Sequence, residues 1–145
     1  MITAILDTNV FVQALSSSPQ SASSRVVAAY FDHRVRLVFS SATFDELIEV
    51  LALPQIKVRH GLSDDEIIEF TESLWDHAVV YRTTRPSVAG VVRDLTDKKF
   101  LALAEESNAE YLVTNDRRHL RPLGRHHRTE IVTPGEFLEK LAASA

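Results

Sequence analysis

Short apolar runs along this chain take turns with longer segments whose apolar residues recur every three or four positions, so strand and helix periodicities alternate. Residues 2–6 form an apolar run too short for a helix, which predicts a buried strand whose carboxyl end carries Asp7. A helix follows over Val10 to Leu15, and Ser16-Ser17-Ser18-Pro19-Gln20 reads as a loop. Ser23 or Ser24 then caps a helix running to about His33, and Val35 to Phe39 is a second strand. Beyond Ser40-Ser41, Phe44, Leu47, Ile48 and Leu51 make an apolar helical stripe that leaves Asp45, Glu46 and Glu49 off it, and Pro54 stops that helix.

Downstream, Ser63 with Glu66 is a capping box opening a helix whose buried face is Ile67, Phe70 and Leu74. Ala78 to Thr83 reads as a third strand. The Arg85-Pro86-Ser87 turn introduces a segment of less definite type, Val88 to Leu95. Asp97 opens a helix with Phe100, Leu101 and Ala104 inward and Asn108 as its stop, and Tyr111-Leu112-Val113 is a short strand. Thr133-Pro134-Gly135-Glu136 combines an N-cap, a proline at the first helical position and a third-position Glu, so Ile131-Val132 feeds a last helix. This alternation predicts an α/β fold, a mostly parallel central sheet with helices on both faces, built as one domain over 1–145.

Composition narrows the chemistry. With 145 residues, 45% hydrophobic and 25% charged, the chain can bury one ordinary core. Cysteine is absent, which removes disulfides, thiolate metal sites and cysteine nucleophiles and fits a reducing cytoplasm. The amino-terminal segment lacks the basic and long apolar regions of a signal peptide, and no 18-residue apolar run is available to span a membrane, so a cytoplasmic protein is expected. The net charge of −4 argues against a general nucleic-acid coat, but the charge is segregated. Residues 63–76 hold six acids and no base, and residues 117–128 hold five Arg and three His with no acid.

In an open α/β sheet, ligands sit beyond the carboxyl ends of the strands, where strand order reverses. Four acids fall near such positions: Asp7 after the first strand, Glu46 early in the helix after the second, Asp97 at a helix start and Asp116 after Val113-Thr114-Asn115. Each also has an ordinary structural explanation. Asp7 and Asp97 could be helix caps, Glu46 a solvated helix-face carboxylate and Asp116 a turn residue. Asn9, Thr114 and Asn115 are short polar neighbours that could fix carboxylate rotamers or touch a substrate phosphate, and turn chemistry explains them equally well. Asp94 and Asp45 are further acids that could support the site or lie on the surface.

Three blocks carry a resemblance. Ala4-Ile5-Leu6-Asp7-Thr8-Asn9-Val10, the stretch from Arg93 through Asp97 to Ala104, and Ala109 through Tyr111-Leu112-Val113-Thr114-Asn115-Asp116 resemble, in content and order, the signature blocks of PIN-domain proteins. Within that family the chain is similar to VapC-like toxin components of bacterial toxin–antitoxin pairs. Glu46, in Phe44-Asp45-Glu46-Leu47, resembles the family's helix-borne acid.

The resemblance implies a three-layer α/β/α fold and a metal-dependent ribonuclease. Its metal, Mg²⁺ or Mn²⁺, would be held by Asp7, Asp97 and Asp116, with Glu46 holding metal or orienting water. It also implies RNA as substrate, an antitoxin as partner and a homodimer. Elementary electrostatics agrees with a cation. Close carboxylates repel by on the order of 3 kcal/mol per pair at an effective dielectric near 20, and an all-oxygen set suits a hard divalent ion.

The basic tract after Asp116 could guide a polyanion or be a solvated loop. A zinc site from His119, His126 and His127 is disfavoured, because the ligand spacing of structural zinc is missing. A haloacid-dehalogenase-like phosphatase needs an Asp where this chain has Asn9, and a dinucleotide-binding fold needs a glycine-rich first turn in a chain with four glycines. A receiver-like domain lacks its paired acids. The remaining rival is a catalytically silent PIN-like module that binds RNA or protein.

Overall fold

The computed structural model describes residues 1–82, 95–116 and 120–144, without the side chains of residues 95–97 and 121. The expected 85–87 turn, the segment from Val88, Asp94 and the Arg117-Arg118-His119 stretch lie outside the described residues. The elements run β1 (Ile2–Leu6), α1 (Thr8–Ser16), α2 (Ala22–Phe31), β2 (Val35–Ser40), α3 (Ser41–Leu51), α4 (Pro54–His60), α5 (Asp64–His77), β3 (Val79–Tyr81), α6 (Leu95–Ser107), β4 (Tyr111–Val113), β5 (Arg125–His126), β6 (Thr129–Val132) and α7 (Pro134–Ala143). The strands form one sheet in the order β3-β2-β1-β4-β6-β5.

Strand periodicity assigns the core to two layers. Ala4 and Leu6 of β1, Leu37 and Phe39 of β2, Val113 of β4 and Val132 of β6 pack into one cluster with residues of α1, α2, α3, α5 and α7. Their alternate neighbours Ile5, Val38, Leu112 and Ile131 pack on the opposite face with Phe100, Leu101, Leu103 and Ala104 of α6. Both faces of these strands are therefore covered by helices, which is why they read as continuous apolar runs. The result is the expected α/β/α arrangement with a mostly parallel sheet. Among the described residues no helix is long and apolar enough to cross a membrane.

Within this mostly parallel sheet β5 pairs antiparallel with β6, turning part of the basic tract into an edge hairpin. Several other expectations need correction. Pro54 does more than stop a helix, since it is also the first residue of α4, which closes on Gly61 at φ 70. α4 buries no residue, so no apolar stripe announced it. Ser21 caps α2, its hydroxyl accepting from the Ser24 amide at 3.2 Å, because neither Ser23 nor Ser24 precedes the helix. β3 spans three residues, shorter than the expected Ala78 to Thr83. α6 begins two residues before Asp97. It ends as expected at Asn108, whose φ of 53 places it in the left-handed region.

α3 departs most. Its buried positions are Thr43, Phe44, Glu46, Leu47 and Leu51, a face about 160° wide at about 100° per residue. Ile48, at one margin, is 41% exposed, and Glu46, at the other, is 9% exposed.

The last capping box is as the sequence predicts. Thr133 Oγ1 accepts from the Glu136 amide at 3.1 Å, and Glu136 Oε1 accepts from the Thr133 amide at 2.8 Å. Thr133→Ala should destabilise the protein by about 1 kcal/mol, lowering the thermal midpoint by about 3 °C. A melt superimposable on wild type would show that water replaces this cap at no cost.

Candidate functional site

The strand order reverses between β1 and β4. From β1 the chain builds outward through β2 and β3 on one side, and β4, β6 and β5 lie on the other. Carboxyl ends of β1 and β4 are held in register by Leu6 opposite Val113, and the Asp7 amide donates to the Val113 carbonyl at 2.9 Å. Residues just past these ends must therefore meet at one crevice. There, a cleft of about 880 Å³ is lined by Asp7, Asn9, Glu46, Arg59, Asn115 and Asp116, among others.

Asp7 occupies the N-cap position of α1, yet its side chain makes no capping hydrogen bond. Its Oδ2 instead accepts from Thr114 Oγ1 at 2.7 Å and from Asn9 Nδ2 at 3.0 Å. The residue is 7% exposed. A carboxylate used only as a cap would sit over the first amides of its helix, and this one turns away from them. Asn9 ties the two strand ends a second time, its Oδ1 accepting from the Asn115 amide at 3.1 Å.

Thr114 is fully buried, and its hydroxyl both donates to Asp7 and accepts from the Asp116 amide at 2.9 Å. One hydroxyl thus fixes the side chain of the first acid and the backbone of the last. Asn115 Nδ2 reaches Ser23 Oγ at 3.3 Å, anchoring the turn to α2.

Glu46 enters from α3. Its Oε2 accepts from Thr8 Oγ1 at 2.5 Å, and Lys99 Nζ lies 3.6 Å from Oε1. Oε1 is buried and has no hydrogen-bond partner among the described residues. Burying a carboxylate oxygen without a hydrogen-bond donor is costly, and among the described residues the ammonium of Lys99 at 3.6 Å is what offsets the charge at this oxygen. Lys99 belongs to α6 and lies two residues after Asp97, so the amino-terminal end of α6 abuts Glu46. The side chain of Asp97 lies outside the described residues. Asp7, Glu46 and Asp116 thus share one cleft, whereas Asp45 is exposed and does not line it.

Sequence reasoning missed two cations. Arg59 of α4 lines the cleft, and Lys99 pairs with Glu46. Arg59 was legible only through α4, whose Pro54 and Gly61 mark its two ends; nothing local distinguishes Lys99 from Lys98. The basic tract does not supply the cleft's charge through its described members: Leu120 is core, and Arg125, His126, His127 and Arg128 lie on or beside the edge hairpin.

A family model for the PIN domain matches residues 3–118. No curated protein matches at a significant level. Among solved structures the chain is similar to VapBC-1 from nontypeable Haemophilus influenzae, with 16% identity and a TM-score of 0.61 over 92% of this chain and 99% of that one. It is similar also to VapBC2 from Rickettsia felis bound to a DNA fragment from their promoter, with 13% identity and a TM-score of 0.60 over 91% and 98%. FitAcB from Neisseria gonorrhoeae gives 18% identity and a TM-score of 0.53 over 91% and 98%. At such identities the likeness is one of fold, and the family is shown by the match over residues 3–118. The chain belongs to the PIN domain family.

Proposed function

We propose that this chain is, over its 145 residues, a single PIN-type domain that hydrolyses RNA with a divalent metal and serves as the toxin of a toxin–antitoxin pair. The observation that carries the reading is the convergence of Asp7, Glu46 and Asp116 on one cleft at the strand-order reversal, with Glu46 Oε1 buried and lacking a hydrogen bond. Asp7, Asp97 and Asp116 would hold Mg²⁺ or Mn²⁺, an assignment favoured by the all-oxygen donor set. When bound, such an ion neutralises phosphate charge and acidifies water for in-line attack on the phosphodiester.

The protein's own side chains supply the rest. Glu46, held at Oε2 by Thr8, can orient the attacking water or complete the metal's ligands. Asn9 and Thr114 hold the Asp7 carboxylate in one rotamer, so the site is organised before substrate arrives. Asn115, whose amide and side chain are both tethered, presents a polar edge to the cleft beside Asp116. Arg59, which also lines the cleft, suits a phosphate oxygen and offsets the acids that would otherwise repel a polyanion.

The toxin reading draws on the VapBC and FitAcB neighbours, and by it the partner is a cognate antitoxin. A homodimer belongs to the same reading. Ile48, Ile68 and Trp75 leave large parts of their apolar side chains at the surface, which a second copy would cover. Action in the cytoplasm fits a chain without cysteine.

The test is incubation of pure protein with mixed RNAs. Cleavage is expected with Mg²⁺ or Mn²⁺ and should stop with chelator. Cleavage indifferent to chelator, or none with either ion while RNA is still bound, would overturn the proposal, the latter in favour of a silent binding module.

A further inference from the structure

We propose that Glu105, His126 and His127 form a second metal site, built for a borderline transition cation such as Zn²⁺, on the edge of the sheet and independent of the acidic cleft. None of the three lines that cleft. One ligand atom from each lies within 4.8 Å of the others. Within the cluster the carboxylate already divides its oxygens between the rings. His126 Nε2 is 3.1 Å from Glu105 Oε2, and His127 Nε2 is 3.5 Å from Oε1. Donors bound at about 2.0–2.1 Å to a tetrahedral ion are themselves about 3.3 Å apart, so a set already within 4.8 Å has to close by about 1.5 Å at most, within the reach of side-chain rotation. The two imidazoles, with centroids 4.6 Å apart and planes at 74°, can aim two lone pairs at one point without stacking.

The backbone makes this convergence possible. Consecutive residues of a strand project to opposite faces, so neighbouring histidines should not share a ligand. His127, at φ 54 in the turn between β5 and β6, breaks the alternation. A non-glycine residue in that region costs roughly 1–2 kcal/mol, and here it returns the second ring to the carboxylate that the first already holds.

The frame around the site is fixed. His126 is buried and pairs with Thr129 across the hairpin, Thr129 Oγ1 donates to the Ala109 carbonyl at 2.6 Å, and Glu105 stands on α6. His127 is exposed, which gives an ion a path in. Two imidazole nitrogens and one carboxylate oxygen are the donors of Zn²⁺, Cu²⁺ or Ni²⁺ rather than of Mg²⁺, and three protein ligands leave a position for water or a further group. Glu105 is the third ligand among the described residues, and His119, the further histidine the sequence offered, lies outside them.

The test is titration of tag-free, full-length protein with Zn²⁺, and with Co²⁺ to read ligand-field absorbance. Both use an Asp7→Asn background that weakens the acidic cleft. One equivalent should bind, raise the thermal midpoint and resist excess Mg²⁺. His127→Ala removes an exposed side chain and leaves the fold intact, and Glu105→Gln keeps the shape and removes the charge. Each should weaken Zn²⁺ binding by about 100-fold or more, beyond what loss of a mere supporting contact does to a metal site. The proposal is overturned by absence of Zn²⁺ binding in the background protein, the result for a cluster of simple His–Glu ion pairs. Unchanged affinity in His127→Ala and Glu105→Gln would overturn it equally. Neither result depends on whether the cleft cleaves RNA.

Discussion

Asp7→Asn should abolish metal-dependent RNA cleavage, by about 10³-fold or more, while leaving the protein folded. The magnitude follows from the several kcal/mol that a bound cation contributes to charge stabilisation at phosphorus, about 4 kcal/mol corresponding to about 10³ in rate. Folding should survive because the amide oxygen of Asn can accept the same bonds from Thr114 and Asn9 that Oδ2 accepts now. Without metal the variant should melt at or above the wild-type midpoint, because one negative charge leaves a buried acidic site. Added Mg²⁺ or Mn²⁺ should raise the wild-type midpoint and leave that of the variant nearly unmoved. Asp116→Asn should behave alike. Robust cleavage by both variants would remove these acids from the chemistry and with them the proposed metal site.

That outcome depends on positions the sequence could mark but not orient. The strands β1 and β4, the α6 stripe and the capping boxes at Ser63 and Thr133 were legible because each rests on local periodicity or on residues three apart. Asp7 was ambiguous because a cap and a pocket acid occupy the same place after a strand. The hydroxyl of the distant Thr114, 107 residues away, joins Asn9 in turning its carboxylate into the cleft.

Glu46 shows the limit more sharply. Its own helix predicts a solvated face, since the apolar stripe runs elsewhere. It is buried because Thr8 of α1 and Lys99 of α6 close over that face, and neither is within 35 residues of it. α4 and β5 escaped for a different reason. The first buries nothing, and the second lies in a tract whose charge masks a buried histidine paired with Glu105. Local pattern gives elements whose hydrophobic face is their own. It does not give faces completed by polar groups from elsewhere in the chain.

Thr114→Val gives the second large effect, and it separates positioning from stability. Valine keeps the volume of a fully buried side chain but removes a hydroxyl with two partners. The Asp116 amide loses its acceptor, and the Asp7 carboxylate loses one donor to Oδ2. Loss of the bond to a part-buried amide and of one to a charged acceptor together should cost about 1–3 kcal/mol of stability. With the Asp7 rotamer and the Asp116 backbone both released, metal affinity and cleavage should fall about 10- to 100-fold, the range for partners that orient metal-holding groups.

Thr114→Ser is the informative companion. It retains both hydrogen bonds and loses only a methyl from the core, so it should cost about 1 kcal/mol in stability yet cleave nearly as wild type. If Thr114 were only packing, activity would track the thermal midpoint through both variants. Because it holds the two acids, the metal concentration needed for half-maximal cleavage should rise in Thr114→Val and stay near wild type in Thr114→Ser. Equal metal dependence in the two would reduce the hydroxyl to a structural contact and leave the alignment of Asp7 with Asp116 to other groups.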